Sequence, residues 1–141
     1  MNQKAADLFE KGLSCSQSVF AAYAPIFGVD ERTALKISST FGGGIARLGQ
    51  VCGAVSGAFM IIGLKVGGED RESKEHTYLL AREFIRRFES MNGSIFCKDL
   101  LGCDISTNDG LQKARENNLF KTLCPKYVKD SCEILEKLID L

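Results

Sequence analysis

Six cysteines are the side chains in this sequence best suited to chemistry: Cys15, Cys52, Cys97, Cys103, Cys124 and Cys132. A cysteine acts as nucleophile or metal ligand through its thiolate, so the question is where each sulfur can lose its proton. No two of the six stand three residues apart, which excludes a Cys-x-x-Cys redox motif, a zinc ribbon and covalent haem attachment. Joint chemistry therefore requires the fold to bring distant cysteines together. Four of them fall at expected helix starts. Ser14-Cys15-Ser16-Gln17 reads as a capping box with Cys15 in the first helical position. Cys52 lies where a glycine loop enters a helix beginning near Gln50, and Cys97 follows the candidate cap Ser94 by three residues. Cys124 precedes Pro125, which suits the first helical position and makes Cys124 the expected N-cap. A helix N-terminus carries about half a positive charge and favours thiolate over thiol. On these grounds Cys15, Cys52, Cys97 and Cys124 are the candidate catalytic residues. Cys52 is expected to be the most reactive, with the flexible loop before it, Gly53 beside it and Arg47 nearby in sequence. Cys103 and Cys132 gain no such field. The competing reading treats all six as small apolar residues in a helical core.

The loop Gly42-Gly43-Gly44-Ile45-Ala46-Arg47-Leu48-Gly49 is the second feature. Gly44 and Gly49 have phosphate-loop spacing, but Gln50-Val51 stand where Lys and Ser or Thr are required, and no strand precedes them. Nucleotide binding by that route is excluded. A plain helix-to-helix turn is the first expectation, and an anion-holding nest of backbone amides with Arg47 the alternative. Gly53, Ala54, Gly57 and Ala58 present small residues on one helix face, where another helix can approach closely; the same bareness at Gly53 and Gly57 can admit a cofactor or a second cysteine. His76, the single histidine, sits among Lys74, Glu75 and Thr77 on a polar face, and Arg82, Arg86 and Arg87 alternate with Glu83 and Glu89 as a solvated helix side.

The elements that must position these residues are helices. Apolar residues recur every three to four positions, only Pro25 and Pro125 interrupt, and no strand alternation competes. An all-α single-domain bundle of about six to eight helices over residues 1–141 is expected. Ala5, Leu8 and Phe9 mark a first helix ended by Gly12; Val19, Ala22, Tyr23 and Ile26 mark a second ending at Gly28; Asp30 caps a third. A central helix runs to about Val66 and is stopped by Gly67-Gly68. Asp70 caps the next, with Tyr78, Ala81, Phe84, Ile85 and Phe88 as its buried stripe. A short helix closes at Gly102, Ser106 caps a segment to about Asn118, and a last helix runs from Cys124 to near Leu141.

Composition narrows the function classes. The chain has 141 residues, 45% hydrophobic and 26% charged, and its 18 basic residues balance 18 acidic ones. No net field draws it to nucleic acid or an anionic membrane. The longest uncharged apolar run, Val51 to Leu64, contains three glycines and falls short of the roughly 20 residues of a membrane-spanning helix. Met1 to Lys11 carries four charges and no apolar h-region, so no signal peptide is expected and the cytoplasm is the expected compartment. Cysteine makes up roughly 4% of the chain, below the 8–10% of a disulfide-built scaffold, which in a reducing compartment means thiols.

Taken in order, Leu13-Ser14-Cys15-Ser16-Gln17-Ser18-Val19, Phe41-Gly42-Gly43-Gly44, Cys52-Gly53-Ala54-Val55-Ser56-Gly57, Cys97 and Cys124 resemble the C_GCAxxG_C_C family of redox-active proteins over nearly the whole chain. The resemblance implies four characteristic cysteines at Cys15, Cys52, Cys97 and Cys124, redox activity, and genes commonly found beside those of transporters. The leading expectation is a cytoplasmic thiol redox protein in which Cys52 is the thiolate and one of the other three resolves its disulfide. A metal-binding module is the alternative, with Cys15, Cys52, Cys97 and Cys124 around zinc or an iron–sulfur cluster. A third reading is an adaptor bundle associated with a transporter. The partner is a redox protein or a transporter-linked one, with no nucleic acid and no membrane span, and a homo-oligomer is compatible with all three.

Overall fold

A computed structural model describes residues 1–141. Its helices begin where local hydrogen-bonding residues dictate. The Ser14 hydroxyl accepts from the Gln17 amide while the Gln17 side chain accepts from the Ser14 amide, and this capping box starts α2, Cys15–Tyr23. Asp30 and Asp70 accept from the amides of Thr33 and Ser73 and start α3, Glu31–Ile37, and α5, Arg71–Asn92. Before them lies α1, Asn2–Glu10, and between them α4, Gly53–Val66. The C-terminal half adds α6 (Cys97–Leu101), α7 (Asn108–Glu116), the single turn α8 (Leu119–Thr122) and α9 (Cys124–Leu138). The protein is thus an all-α bundle of eight helices of five residues or more and one four-residue turn. Short 3-10 turns cover Ala24–Phe27 and Ser39–Phe41.

Several boundaries differ from expectation. Thr107, not Ser106, caps α7, because Ser106 is drawn into a turn by the Asp104 carboxylate. Cys124 occupies the first helical position of α9, with Leu123 as N-cap and Pro125 in the second. Cys52 is itself the N-cap of α4, and Cys97 is the first residue of α6. Tyr78 on α5 and Ile26 in the 3-10 turn Ala24–Phe27 face solvent, while Phe84, further along α5, packs on Phe59 in the core.

The hub is α2. Seven of its nine residues are buried, and it touches α1, α3, α4 and α9. Closest is α4, whose Gly53 and Gly57 face the α2 backbone. A Cβ on Gly57 would stand 2.9 Å from the Ser16 carbonyl oxygen and 3.2 Å from the Phe20 nitrogen. Val19, Phe20, Tyr23, Val55, Ile61, Phe84, Phe88, Val128 and Leu135 fill the main core between α2, α4, α5 and α9. Because the obstacle is backbone, Gly57→Ala is expected to destabilise by about 1–3 kcal/mol despite the better helix propensity of alanine. Gly63, exposed on the same helix with nothing near its missing Cβ, provides the contrast: Gly63→Ala is expected to stabilise by about 0.5–1 kcal/mol. Urea midpoints of the two variants check the pair, and equal midpoints would show that α2 and α4 are not in backbone contact.

Candidate functional site

The segment between the Ser39–Phe41 turn and α4 carries five successive residues of positive φ: Gly43 (64°), Gly44 (69°), Ile45 (65°), Ala46 (50°) and Arg47 (61°). This is a left-handed helical turn, and its three non-glycine members each cost roughly 1–2 kcal/mol. A plain turn does not describe it. Every amide from Ile45 to Gln50 is bonded locally, to the carbonyls of Phe41, Thr40, Gly42, Ile45, Gly43 and Gly44 in that order, which leaves the amides of Gly42, Gly43 and Gly44 as the loop's unbonded donors. Strain of this kind persists where its surroundings enforce it. Here the enforcement comes from packing: a Cβ on Gly44 would lie 2.7 Å from the Cys97 Cβ and 2.6 Å from the Gln50 nitrogen.

The same loop clamps two of the cysteines. The Cys52 amide donates to the Ile95 carbonyl at 2.7 Å, and the Cys97 amide donates to the Gln50 carbonyl at 2.7 Å. With the Lys98 amide bonded to Gly49, these form an isolated antiparallel bridge, Val51 to Phe96, that fixes the start of α4 beside the start of α6. Cys15 reaches the same place from α2. Its neighbour Ser16 donates to the Ser38 carbonyl, and the absence of side chains at Gly53 and Gly42 lets the start of α2 lie against the loop and α4. Cys124 enters from the start of α9.

All four sulfur-bearing residues line one cavity of about 1170 Å³, together with Phe9, Leu13, Tyr127 and the left-handed turn. Cys97, Cys124, Leu101, Ile105 and Ala114 form a small core of their own, against which Cys15 and Cys103 pack. Cys132 lies elsewhere, fully buried beside Tyr23. No group of three or more His, Cys, Asp and Glu side chains is arranged to hold a metal ion, so the four thiols share a cavity without converging on a common coordination point. The zinc and iron–sulfur arrangement does not fit this geometry. His76 is exposed on α5 and takes no part.

Ionisation separates the four. Burial raises the Cys52 thiol to about 11, and the amides of Ala54 and Val55 only partly oppose it. Burial also raises Cys97 to about 12, reinforced by the proximity of Cys52 and Cys124. The expectation that Cys52 is the readiest thiolate is therefore reversed: it is 4% exposed, and desolvation outweighs the favourable helix terminus. Cys124 is the one lowered. Cys15 and Cys124 are neighbours whose thiols act chiefly on each other, and the interaction pushes them apart: Cys124 falls below the ordinary thiol range while Cys15, half-buried and near the other cysteines, rises well above it. Cys124 is therefore the first of the two to lose its proton, with the Cys15 thiol beside it. Each sulfur also stands at the first position of a helix of nine residues or more.

The other expected site residues resolve simply. Gly57 faces α2, which fills the space a cofactor would need. Gly53 borders the cavity but is crowded by Ser16. Arg47 is exposed on the cavity rim. Residues that sequence reasoning missed are Phe9, Leu13, Phe120, Arg115, Lys121 and Tyr127, which come from α1, α7, α8, α9 and the link before α2. No spacing signal connects them.

No helix is long and apolar enough to cross a membrane. Neither a curated protein nor a solved structure matches the chain. A family model does, over residues 13–138, a span that includes all four cavity cysteines together with the glycine loop. The chain belongs to the family described as Putative redox-active protein (C_GCAxxG_C_C).

Proposed function

We propose that this protein is a cytoplasmic thiol–disulfide exchange protein, acting as one unit over residues 1–141, whose working dithiol is Cys124 with Cys15. One observation carries this reading: Cys15 and Cys124 begin two helices on the wall of one open cavity, and of the two Cys124 ionises first. The Cys124 thiolate attacks one sulfur of an incoming disulfide and a mixed disulfide forms as the substrate's S–S bond breaks. The departing thiolate takes up the Cys15 proton. The Cys15 sulfur then attacks Cys124, a Cys15–Cys124 disulfide closes, and the second half of the substrate leaves as thiolate. The protein loses two electrons and the substrate gains them. Cys52 and Cys97 hold their protons at neutral pH and serve as the dry, apolar floor that keeps the pair isolated.

Limited oxidation of the reduced protein with hydroxyethyl disulfide, followed by alkylation and peptide mapping, is expected to yield the Cys15–Cys124 link first. A first link through Cys103 or Cys132, or no link at all, would overturn the assignment.

A further inference from the structure

The cavity that holds the dithiol has a charged mouth. Arg47 comes from the left-handed turn, Arg115 from α7 and Lys121 from α8, and all three line the cavity and are exposed. None of them belongs to an ion pair. One carboxylate, Glu10, shares the lining and is likewise unpaired. Three cations thus face one anion, in a protein whose net charge is zero. The excess is local, and it is assembled from three separate elements. Between this mouth and the sulfurs the wall is apolar, with Phe9, Leu13, Leu111 and Phe120 lining it.

Access sets the size of the partner. Cys124 is 7% exposed, and the cavity is the opening onto it. A small, flexible disulfide can align with a sulfur this enclosed more readily than one fixed on the surface of a folded protein. The cavity volume, about 1170 Å³, is slightly larger than that of most small-molecule sites, which run to roughly 1,000 Å³.

We infer that the oxidised partner of the Cys15–Cys124 pair is a low-molecular-weight organic disulfide bearing carboxylates or another anionic group, held by Arg47, Arg115 and Lys121 while its sulfur–sulfur bond reaches Cys124. This rests on the dithiol reading above and adds the chemical class of its substrate. The exchange balances as already written: one disulfide enters, two small thiols leave, one of them carrying the Cys15 proton, and the protein becomes the disulfide.

The test compares three disulfides on the reduced full-length protein near neutral pH: anionic oxidised glutathione, neutral hydroxyethyl disulfide and cationic cystamine. Each rate of Cys124 oxidation, read by alkylation and mass spectrometry, is divided by that probe's rate with free β-mercaptoethanol. At low ionic strength oxidised glutathione is expected to react about 10-fold faster than the neutral probe, with cystamine slowest. The preference is expected to shrink towards parity in high salt. In an Arg115→Gln/Lys121→Gln variant the ratio of the anionic to the neutral rate is expected to fall about fivefold. Equal normalised rates for the three probes, or a preference indifferent to salt, would overturn the anionic-substrate inference while leaving the dithiol intact. Failure of all three probes at Cys124 would remove both. Should the double variant fail to fold, the salt dependence of the unaltered protein decides the matter.

Discussion

Cys124→Ser is expected to slow disulfide exchange at neutral pH by about 10- to 100-fold. A thiol titrating at about 11, as Cys52 does, is ionised to roughly one part in ten thousand at pH 7. Cys124, lowered by its Cys15 neighbour, carries the larger thiolate fraction. The higher-pKa thiolate is intrinsically the better nucleophile, but with a Brønsted slope of about 0.4–0.5 it recovers only about half of that advantage on a logarithmic scale, so the balance favours Cys124. Cys15→Ser separates attack from resolution. A serine hydroxyl at position 15 keeps a proton donor beside Cys124, so the first step is expected to survive, but nothing at position 15 can close the protein disulfide. A stable adduct of one substrate half on Cys124 is expected by intact-mass measurement. Cys103→Ser and Cys132→Ser are expected to leave the rate within about twofold. A Cys124→Ser protein that exchanges at the original rate would transfer the role to another thiol.

The helical character of the chain was readable because helices begin with local rules. Ser14 with Gln17, Asp30 with Thr33 and Asp70 with Ser73 each lie three residues apart, and the amide geometry of a first turn permits little else. Cys15 was readable for the same reason and Cys124 through Pro125, whereas α4 and α6 start at Cys52 and Cys97 with no side-chain cap, and Phe96 rather than Ser94 is the N-cap of α6. The electrostatic order among them was not. A helix N-terminus offers up to about 2 kcal/mol, whereas full burial shifts a pKa by as much as several units, so the sign at Cys52 depends on packing from α2 and α6. Those contacts are made by residues far away in sequence. Local patterns were equally silent on the left-handed turn. Ile45, Ala46 and Arg47 have no intrinsic reason to take positive φ, and they do so because the loop must cover Cys97 and hand the chain to Cys52 within a few residues. The cationic mouth is the extreme case, since Arg47, Arg115 and Lys121 share only the cavity.

Burying thiols that must stay protonated has a consequence for the whole fold: stability is expected to fall steeply above about pH 9. Folding raises Cys52 and Cys132 to about 11 and Cys97 to about 12, in each case first through desolvation. In the unfolded chain the same groups titrate near 8.5. Above that value the unfolded state has released protons that the native state retains. Unfolding is then coupled to proton loss, and each further pH unit favours it by about 1.4 kcal/mol per group. The stabilisation of the protonated thiols is complete below about pH 8.5 and is lost as pH climbs towards 11–12. Three groups over one unit amount to about 4 kcal/mol, a large share of the 5–15 kcal/mol that holds a domain together. Tyr23, raised chiefly by burial beside Cys132, adds to the loss once unfolded tyrosine begins to ionise near pH 10. Cys15, raised beside Cys124, also adds to it, and Cys124 opposes it, because its lowered pKa favours the native state in alkali. Urea titrations under reductant at about pH 7.5, 9 and 10 are expected to show a falling midpoint with an unchanged slope, restored on return to neutral pH. Cys52→Ala and Cys132→Ala leave cavities and lower stability at every pH, yet each is expected to remove about 1.4 kcal/mol per pH unit of the alkaline decline. A midpoint that stays level from about pH 8 to 10 would mean that water already reaches these sulfurs, and the dry floor beneath the Cys15–Cys124 pair would be gone with it.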